Sequence, residues 1–535
     1  MEEPMKKKLF IGILLLVAVM SVVLVGCKGK SEDGPKKYTY SNDTTDKEIK
    51  ALFDAMLVNN VSADEVIYRL IFPTKVNNAG ARYTVIDSDA VDYKGNITGK
   101  NTETEEVTIQ CKYKGEMYYF KVTVPAGADR DKAFLTMASE QLLHNTDNIK
   151  GNIDLVDTIE LEDKIKVTWK SDNTEVITDA ATGANGEIPA GVVTRGDQDV
   201  KVKLTAELTL RDQKLTKEFE VTVKAKPAAL AERNKYLYAY FRGNIYGNGE
   251  SQKIHMSVSE DGFFWDELYD NEAILTNTLG TGGVRDPYLI RSYEGDHFYL
   301  IGTDLDANGG DWGAYGGDGS LSIVIWESDD LVNWSEVRLI EIAPDNAGCM
   351  WAPEATYDPT TGEYVIYFAS SINGPKKILY VKTRDFYHFT EAEIYKNNDS
   401  EATYIDTTMT YYDGVYYRFT KNENNLSILL ETSDAVLGDY TLVKKEIAGM
   451  YGVEGPSIYK IDGQEKWVLY MDGYAGDFWG VGYFPLIADS LEDLKNANFR
   501  KLEAGEYEMP VGAKHGSFMT ITEAEYNALV EAYGI

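Results

Sequence analysis

The 535-residue chain is too long for one ordinary domain, and its 44% apolar content is enough to bury several cores. Its 86 acidic and 53 basic residues leave a formal charge of −33, which argues against nucleic acid and anionic membrane surfaces, partners that bind through basic patches. Aromatic residues reach 12%, with 37 Tyr, favouring β structure and carbohydrate-facing surfaces, while three cysteines without metal-ligand spacing (Cys27, Cys111 and Cys349) exclude a disulfide framework.

The chain opens with "MKKKLFIGILLLVAVMSVVLVGC", a lysine cluster, an apolar run from Leu9 to Val25 and a Gly26-Cys27 ending. This resembles a bacterial lipoprotein signal over residues 1–27. The resemblance implies a lipid on Cys27 and a protein held outside the cytoplasm, attached to the cell membrane or surface only through that lipid. The run is just long enough to act as a signal anchor instead, but the Gly-Cys ending and the polar segment after it favour lipidation. Glu2 and Glu3 suit a secretion signal poorly, which makes Met5 the better start. Residues 28–45 read as a polar, flexible tether.

A short helical pattern, "DKEIKALFDAMLVNN", then leads into period-two alternation in "ARYTVIDSDAV" and "EEVTIQCKYKGEMYYFKVTVPAG". A second helical piece, "DKAFLTMASEQLL", and a second alternating set repeat the theme, and the two closing "VTV" strands lie 99 residues apart. Residues 46–127 and 128–226 resemble two tandem bacterial immunoglobulin-like sandwiches, the first degenerate, the second with Trp169 on an early strand. Neither carries a constellation of polar residues that suggests chemistry, so both read as spacers or weak binding modules.

From residue 227 a different repeat takes over. Five times a strand ends in a polar turn, an apolar residue and an aromatic: Trp265, Trp334, Phe389, Tyr440 and Phe499, spaced 69, 55, 51 and 59 residues apart. Two strands precede each of the last four aromatics, and a further polar strand follows them, which makes four four-stranded blades. The leftover front strands lack an inner strand, and "HGSFMTIT" at the end supplies one. The expected fold is all-β: a five-bladed β-propeller over 227–535, closed by joining its two ends, behind two immunoglobulin-like modules.

The first strand of each propeller blade lines the central axis. Aligning those strands puts Asp286 ("RDPYLI"), Ala352 ("WAPEATYD"), Asp406 ("YIDTTM") and Glu454 ("VEGPSIY") at equivalent or near-equivalent positions, with His515 ("KHGS") in the last blade. Three acids on three repeats converge on one funnel, which is what hydrolysis of a glycosidic bond requires. One acid protonates the leaving oxygen, an ionised one activates water or attacks carbon, and a third tunes its neighbour. Clustered carboxylates also suit Ca²⁺, but the D-x-D-x-D-G spacing of a calcium loop is absent.

These five motifs, in this order on this repeat, resemble glycoside hydrolase family 43 over about 300 residues. The resemblance implies inverting hydrolysis of arabinose- or xylose-containing plant polysaccharide, with Asp286 as general base, Glu454 as general acid and Asp406 as the residue that orients the acid and tunes its pKa. It implies no required cofactor, though in several members a water-coordinated ion, often calcium, lies beside the histidine matched by His515. Trp351 is a candidate sugar-stacking wall, Arg242 in "YFRGN" a candidate sugar ligand, and Trp312 a residue bordering the site from the Gly-rich segment 306–320. That segment lacks the Lys-Ser/Thr of a phosphate loop and is expected not to open a helix. Glu354, on the same side of its strand as Ala352, reads as an outer acid and not a catalyst. Retaining fructosidases share the five-bladed plan and the "RDP" motif, but their "NDPNG" nucleophile segment and "E-C" acid motif are missing here.

The expected protein is a monomeric, lipid-anchored exo α-L-arabinofuranosidase, with β-xylosidase and endo-arabinanase next. A catalytically silent glycan-binding propeller is the reading from another class, and retention of three facing acids argues against it.

Overall fold

The computed structural model describes residues 38–39, 47–227, 231–243, 249–396 and 402–535. Cys27, with the rest of the signal segment, lies outside the described residues, and no described helix is long and apolar enough to cross a membrane. The chain forms two compact units. One takes residues up to Leu143 with Val156–Lys170 and Leu204–Phe219, and the other takes His144–Leu155, Ser171–Lys203 and Glu220–Ile535.

In the first unit, both helical patterns fold as helices, Lys47–Met56 and Gly127–Ser139. The apolar stripe Ile49, Leu52, Phe53 and Met56 packs on Val107, Ile109, Phe120 and Val122 of a five-stranded sheet. The second sheet of a sandwich is absent among the described residues of this module; the helix covers that face. Phe134, Leu135 and Ala138 of the other helix pack in the same way against Ile165, Val167, Ala206 and Leu208. The strands Thr158–Glu160, Lys164–Ser171, Val200–Leu210 and Gln213–Val223 form one four-stranded sheet in chain order.

The second unit holds five four-stranded sheets, and these are the five blades. In four of them the strands follow chain order outward from the axis, with inner strands Val284–Arg291, Trp351–Asp358, Tyr404–Tyr412 and Val453–Lys460. The remaining blade joins Lys235–Arg242, Ile254–Ser259 and Asp266–Glu267 to Ala513–Ile521 as its inner strand. The expected closure is therefore realised: Tyr238 pairs with Phe518 across almost the whole propeller sequence. The inner strands touch one another in a complete ring. Apolar side chains fill the spaces between blades, as where Leu237, Met256 and Val258 meet Val284, Leu300 and Trp326. Inside the same unit, Arg195 grips Asp296 with two hydrogen bonds of 2.8 and 2.6 Å, and Asn145 donates to Glu327 at 2.9 Å, fixing these segments to the first turn and the third strand of one blade.

The closing strand fits tightly. A methyl group on Gly516 would lie 2.1 Å from the Ala239 carbonyl oxygen of the facing strand, and backbone cannot yield as a side-chain tip can. We expect Gly516→Ala to part the closure and cost about 1–3 kcal/mol, as overpacking does elsewhere. Urea unfolding checks this, and an unchanged midpoint would show that the closing strands do not bear on stability.

Candidate active site

The inner strands share a local irregularity that aims the site. Asp286, Ala352 and Asp406 have φ of 49°, 46° and 44°, and Gly455 has 55°, all in the left-handed region. At each, the pairing with the second strand slips: between Arg285 and Tyr288, Trp351 and Glu354, Ile405 and Thr407, and Glu454 and Ser457. Three of these bulges contain Pro287, Pro353 or Pro456, which have no N–H to leave orphaned where the ladder breaks. A left-handed residue other than Gly costs roughly 1–2 kcal/mol. Its repetition at one level of the ring indicates that the bulge serves to re-aim side chains.

The register also refines the alignment. The equivalents of Asp286, Ala352 and Asp406 end at Gly455, so Glu454 stands one residue earlier, at the level of Arg285, Trp351 and Ile405. Gly455 is needed twice over: its φ is positive, and a Cβ there would lie 2.7 Å from Cγ of His515. The histidine of the closing strand thus occupies the place where a fourth side chain would project.

The three acids sit in different surroundings. The Asp286 carboxylate lies 3.2 Å from Nδ1 of His515 and accepts a 2.9 Å hydrogen bond from the Thr303 hydroxyl. Burial alone would raise its pKa, but these partners, His515 first, hold it below the usual carboxylate range. The imidazole responds in the opposite direction: against the effect of burial, the charge of Asp286 lifts it to about 9, so it stands as an imidazolium. Glu454 makes no ion pair among the described residues, and the charge of Lys421 acts on it only as a lesser influence. Burial, then the charges of Asp406 and Asp472, push it up to about 8. Asp472 is its direct cross-strand neighbour and is itself held by Lys514 at 3.1 Å. Asp406 is the most enclosed of the three acids. Its Oδ2 accepts the N–H of Gly455 at 3.0 Å, which ties it to the residue after Glu454, and burial raises it to about 6. Asp286 and Glu454 keep partial access to solvent.

Several residues at this level were not singled out from the sequence. Thr303, Lys421 and Asp472 are each the last residue but one of a second strand and lie directly across from Arg285, Ile405 and Glu454. Their signal is a polar residue closing an otherwise apolar strand, in "LIGTD", "RFTKN" and "LYMDG". Lys421, fully buried, bonds the Tyr474 hydroxyl at 2.7 Å and pairs with Glu423 at 3.0 Å. Glu354 lies deeper than an outer acid would. It is 3% exposed, one oxygen has no hydrogen-bond partner, and burial lifts it to about 8, so it holds a proton beside His515 and Asp406.

The binding candidates divide. Arg242 is buried, with its guanidinium on the Asn271 carbonyl at 2.9 Å, so it braces a turn of its own blade. Trp351 and Trp312 meet edge to face with centroids 6.2 Å apart, and Trp312 is half exposed. Trp312 opens a short helix, Trp312–Gly317, where the Gly-rich segment was expected to have none; Asp311 caps it by accepting the Ala314 N–H at 3.1 Å. His515 faces Asp286, and no group of three His, Cys, Asp or Glu side chains set to hold a metal directly occurs among the described residues. A separate cleft lined by His144, Glu294, His297, Glu327, Arg384 and Asp385 contains none of the three acids.

A family described as "Probable glycosyl hydrolase domain" matches residues 232–527, and one described as "Atrophied bacterial Ig domain" matches 128–226. An alpha-L-arabinofuranosidase of Bifidobacterium longum subsp. longum is 31% identical over 398 residues, 66% of this chain and 35% of that protein, so the chain spans about a third of its relative. Similar solved structures include a family-43 beta-1,3-galactosidase, 13% identical with a TM-score of 0.36 over 49% of this chain and 57% of that one. An exo-1,5-alpha-L-arabinanase from a bovine ruminal metagenomic library is 14% identical with a TM-score of 0.35, over 48% and 90% of the two chains. An endo-arabinanase from Bacillus licheniformis is 20% identical with a TM-score of 0.30, over 43% and 83%. With more than half its length matched by one glycosyl hydrolase model, the chain belongs to the glycosyl hydrolase 43-related family.

Proposed function

We propose that the propeller is an inverting, exo-acting α-L-arabinofuranosidase. It works as a monomer on plant polysaccharide and is held outside the cytoplasm by a lipid on Cys27. The observation that carries the catalytic part is the opposite protonation of two solvent-accessible acids in one ring. Asp286 is kept ionised by His515 and Thr303, while Glu454 is kept protonated by burial and by facing Asp406 and Asp472. The arabinofuranosidase relative favours arabinose among the pentoses.

In the proposed reaction, Asp286 accepts a proton from a water molecule as that water's oxygen attacks the anomeric carbon. The bond from that carbon to the leaving oxygen breaks, and Glu454 gives that oxygen its proton. Asp406 keeps the acid protonated and, through the Gly455 N–H, fixes the backbone beside it. After product leaves, Asp286 releases the proton it took to solvent water and Glu454 takes one up from it, which restores both acids.

Release of nitrophenol from the α-L-arabinofuranoside tests the reading, with the β-xyloside as competitor substrate. Glu454→Gln should lower kcat by about 10²–10⁴-fold, the usual reach of general acid catalysis. Absence of turnover by the wild type on any pentoside or arabinan would overturn the assignment. Proton NMR of the first-formed product should show the anomer opposite to that of the substrate, and a retained anomer would transfer Asp286 to a nucleophile's role.

The pH profile follows from the shifts. The general acid must be protonated, so kcat/KM should fall as pH rises through about 8, the value for Glu454. The acidic limb, set by Asp286, should lie below the ordinary carboxylate range. Asp406→Asn removes a negative neighbour from Glu454, lowers its pKa and should move the alkaline limb to lower pH; an unmoved limb would remove Asp406 from that role.

A further inference from the structure

The repeat shows which other side chains share the level of the general acid. Arg285 and Trp351 each stand one residue before the left-handed bulge of their blade, as Glu454 stands before Gly455. Both are only partly buried. They are also tied to the base: the Thr303 hydroxyl donates to Asp286 and accepts the Ala352 N–H at 2.7 Å, so the strand carrying Trp351 is fixed beside Asp286.

From these two residues a rim extends outward. Arg285 lies over Phe241 at 4.2 Å and over Trp312 at 5.3 Å, and its Nη1 donates to Gln252 at 3.0 Å. Trp312 meets Trp351, and the Lys376 ammonium sits 4.5 Å over the Trp351 ring. Neither indole therefore presents two bare faces for stacking a neutral sugar. What the rim presents is a guanidinium and an ammonium, each set against a ring. Neither cation makes an ion pair with a carboxylate among the described residues, in a chain where acids outnumber bases by 86 to 53. Asp306 and Asp311, in the segment leading to Trp312, accept the N–H of Asn308 at 3.0 Å and of Ala314 at 3.1 Å, and the carboxylates that feel the charge of Arg285 are Asp286 and Asp472, inside the ring.

We propose that Arg285, Lys376, Trp312 and Trp351 form a subsite for a carboxylate-bearing sugar, a uronate, next to the bond that is cut. The inference rests on the glycosidase reading above and narrows it: the substrate is an acidic, pentose-carrying polysaccharide and not a neutral arabinan. The guanidinium and ammonium take the carboxylate through charge-assisted hydrogen bonds, and the indole edges meet the apolar side of the same ring.

Binding to Glu454→Gln, in which the expected loss of kcat leaves substrate largely intact during the measurement, tests this by calorimetry. The ligands are glucuronoarabinoxylan oligosaccharides, galacturonate-containing pectic oligosaccharides and the carboxyl-reduced form of each. At low salt at least one acidic ligand should bind about tenfold tighter than its reduced form, and which one does so identifies the source of the uronate. The gap should narrow in 0.5 M NaCl and close in Lys376→Gln or Arg285→Gln, while Lys376→Arg and Arg285→Lys keep most of it. Equal affinity for acidic and reduced ligands, or a gap that survives both neutral variants, would overturn the subsite. Uronate binding of this kind with no pentose released by the wild type would instead overturn the glycosidase reading and leave the subsite standing.

Discussion

The site depends on a backbone conformation repeated around a ring. At one level of four inner strands the chain turns into the left-handed region, drops one residue from the ladder and resumes pairing. An uninterrupted strand would send successive side chains to opposite faces, into the packing between blades. The bulge presents two consecutive residues per blade to the axis, one in the left-handed position and one before it. Asp286 and Asp406 occupy the first kind of place and Glu454 the second, so the acids are offset in depth as well as in angle.

The electrostatics follow from that offset. Crowded carboxyl groups cannot all ionise in an enclosed space, and the ring settles the matter with few cations. The imidazolium of His515 goes to Asp286, Lys514 to Asp472 and Lys421 to Glu423, which leaves Glu354 and Glu454 to hold protons. Glu454 is the partly open one of these two, and so the one able to pass its proton outward.

Much of this could be read from the residues. The spacing of turn aromatics marked the blades, the unpaired front strands asked for the closing strand, and the acids before inner strands marked the axis. What escaped was decided by contacts that pattern does not carry. Glu454 is out of step with Asp286 by one residue, because the left-handed position passed to Gly455 when His515 took its space. Arg242, a candidate sugar ligand by sequence, is buried on a carbonyl of its own blade. The helix Trp312–Gly317 forms despite its three glycines because Asp311 caps it and the Gly316 carbonyl accepts the Ser371 hydroxyl at 2.7 Å, which local propensity cannot show. The first N-terminal module alternates as a sandwich would, yet its helix takes the place of the second sheet.

The pairing of the first propeller strand with the last has a consequence for how the molecule is made. Lys235–Arg242 is synthesised early and finds its neighbour Ala513–Ile521 only when nearly the whole chain has emerged. Until then four blades can form while the ring stays open, with a long sequence separation to be closed by slow, non-local pairing. The strand that closes it also brings in His515, the partner that keeps Asp286 ionised. A chain cut short by a few dozen residues would therefore lose the partner of Asp286 together with its closure, so one missing strand removes both at once.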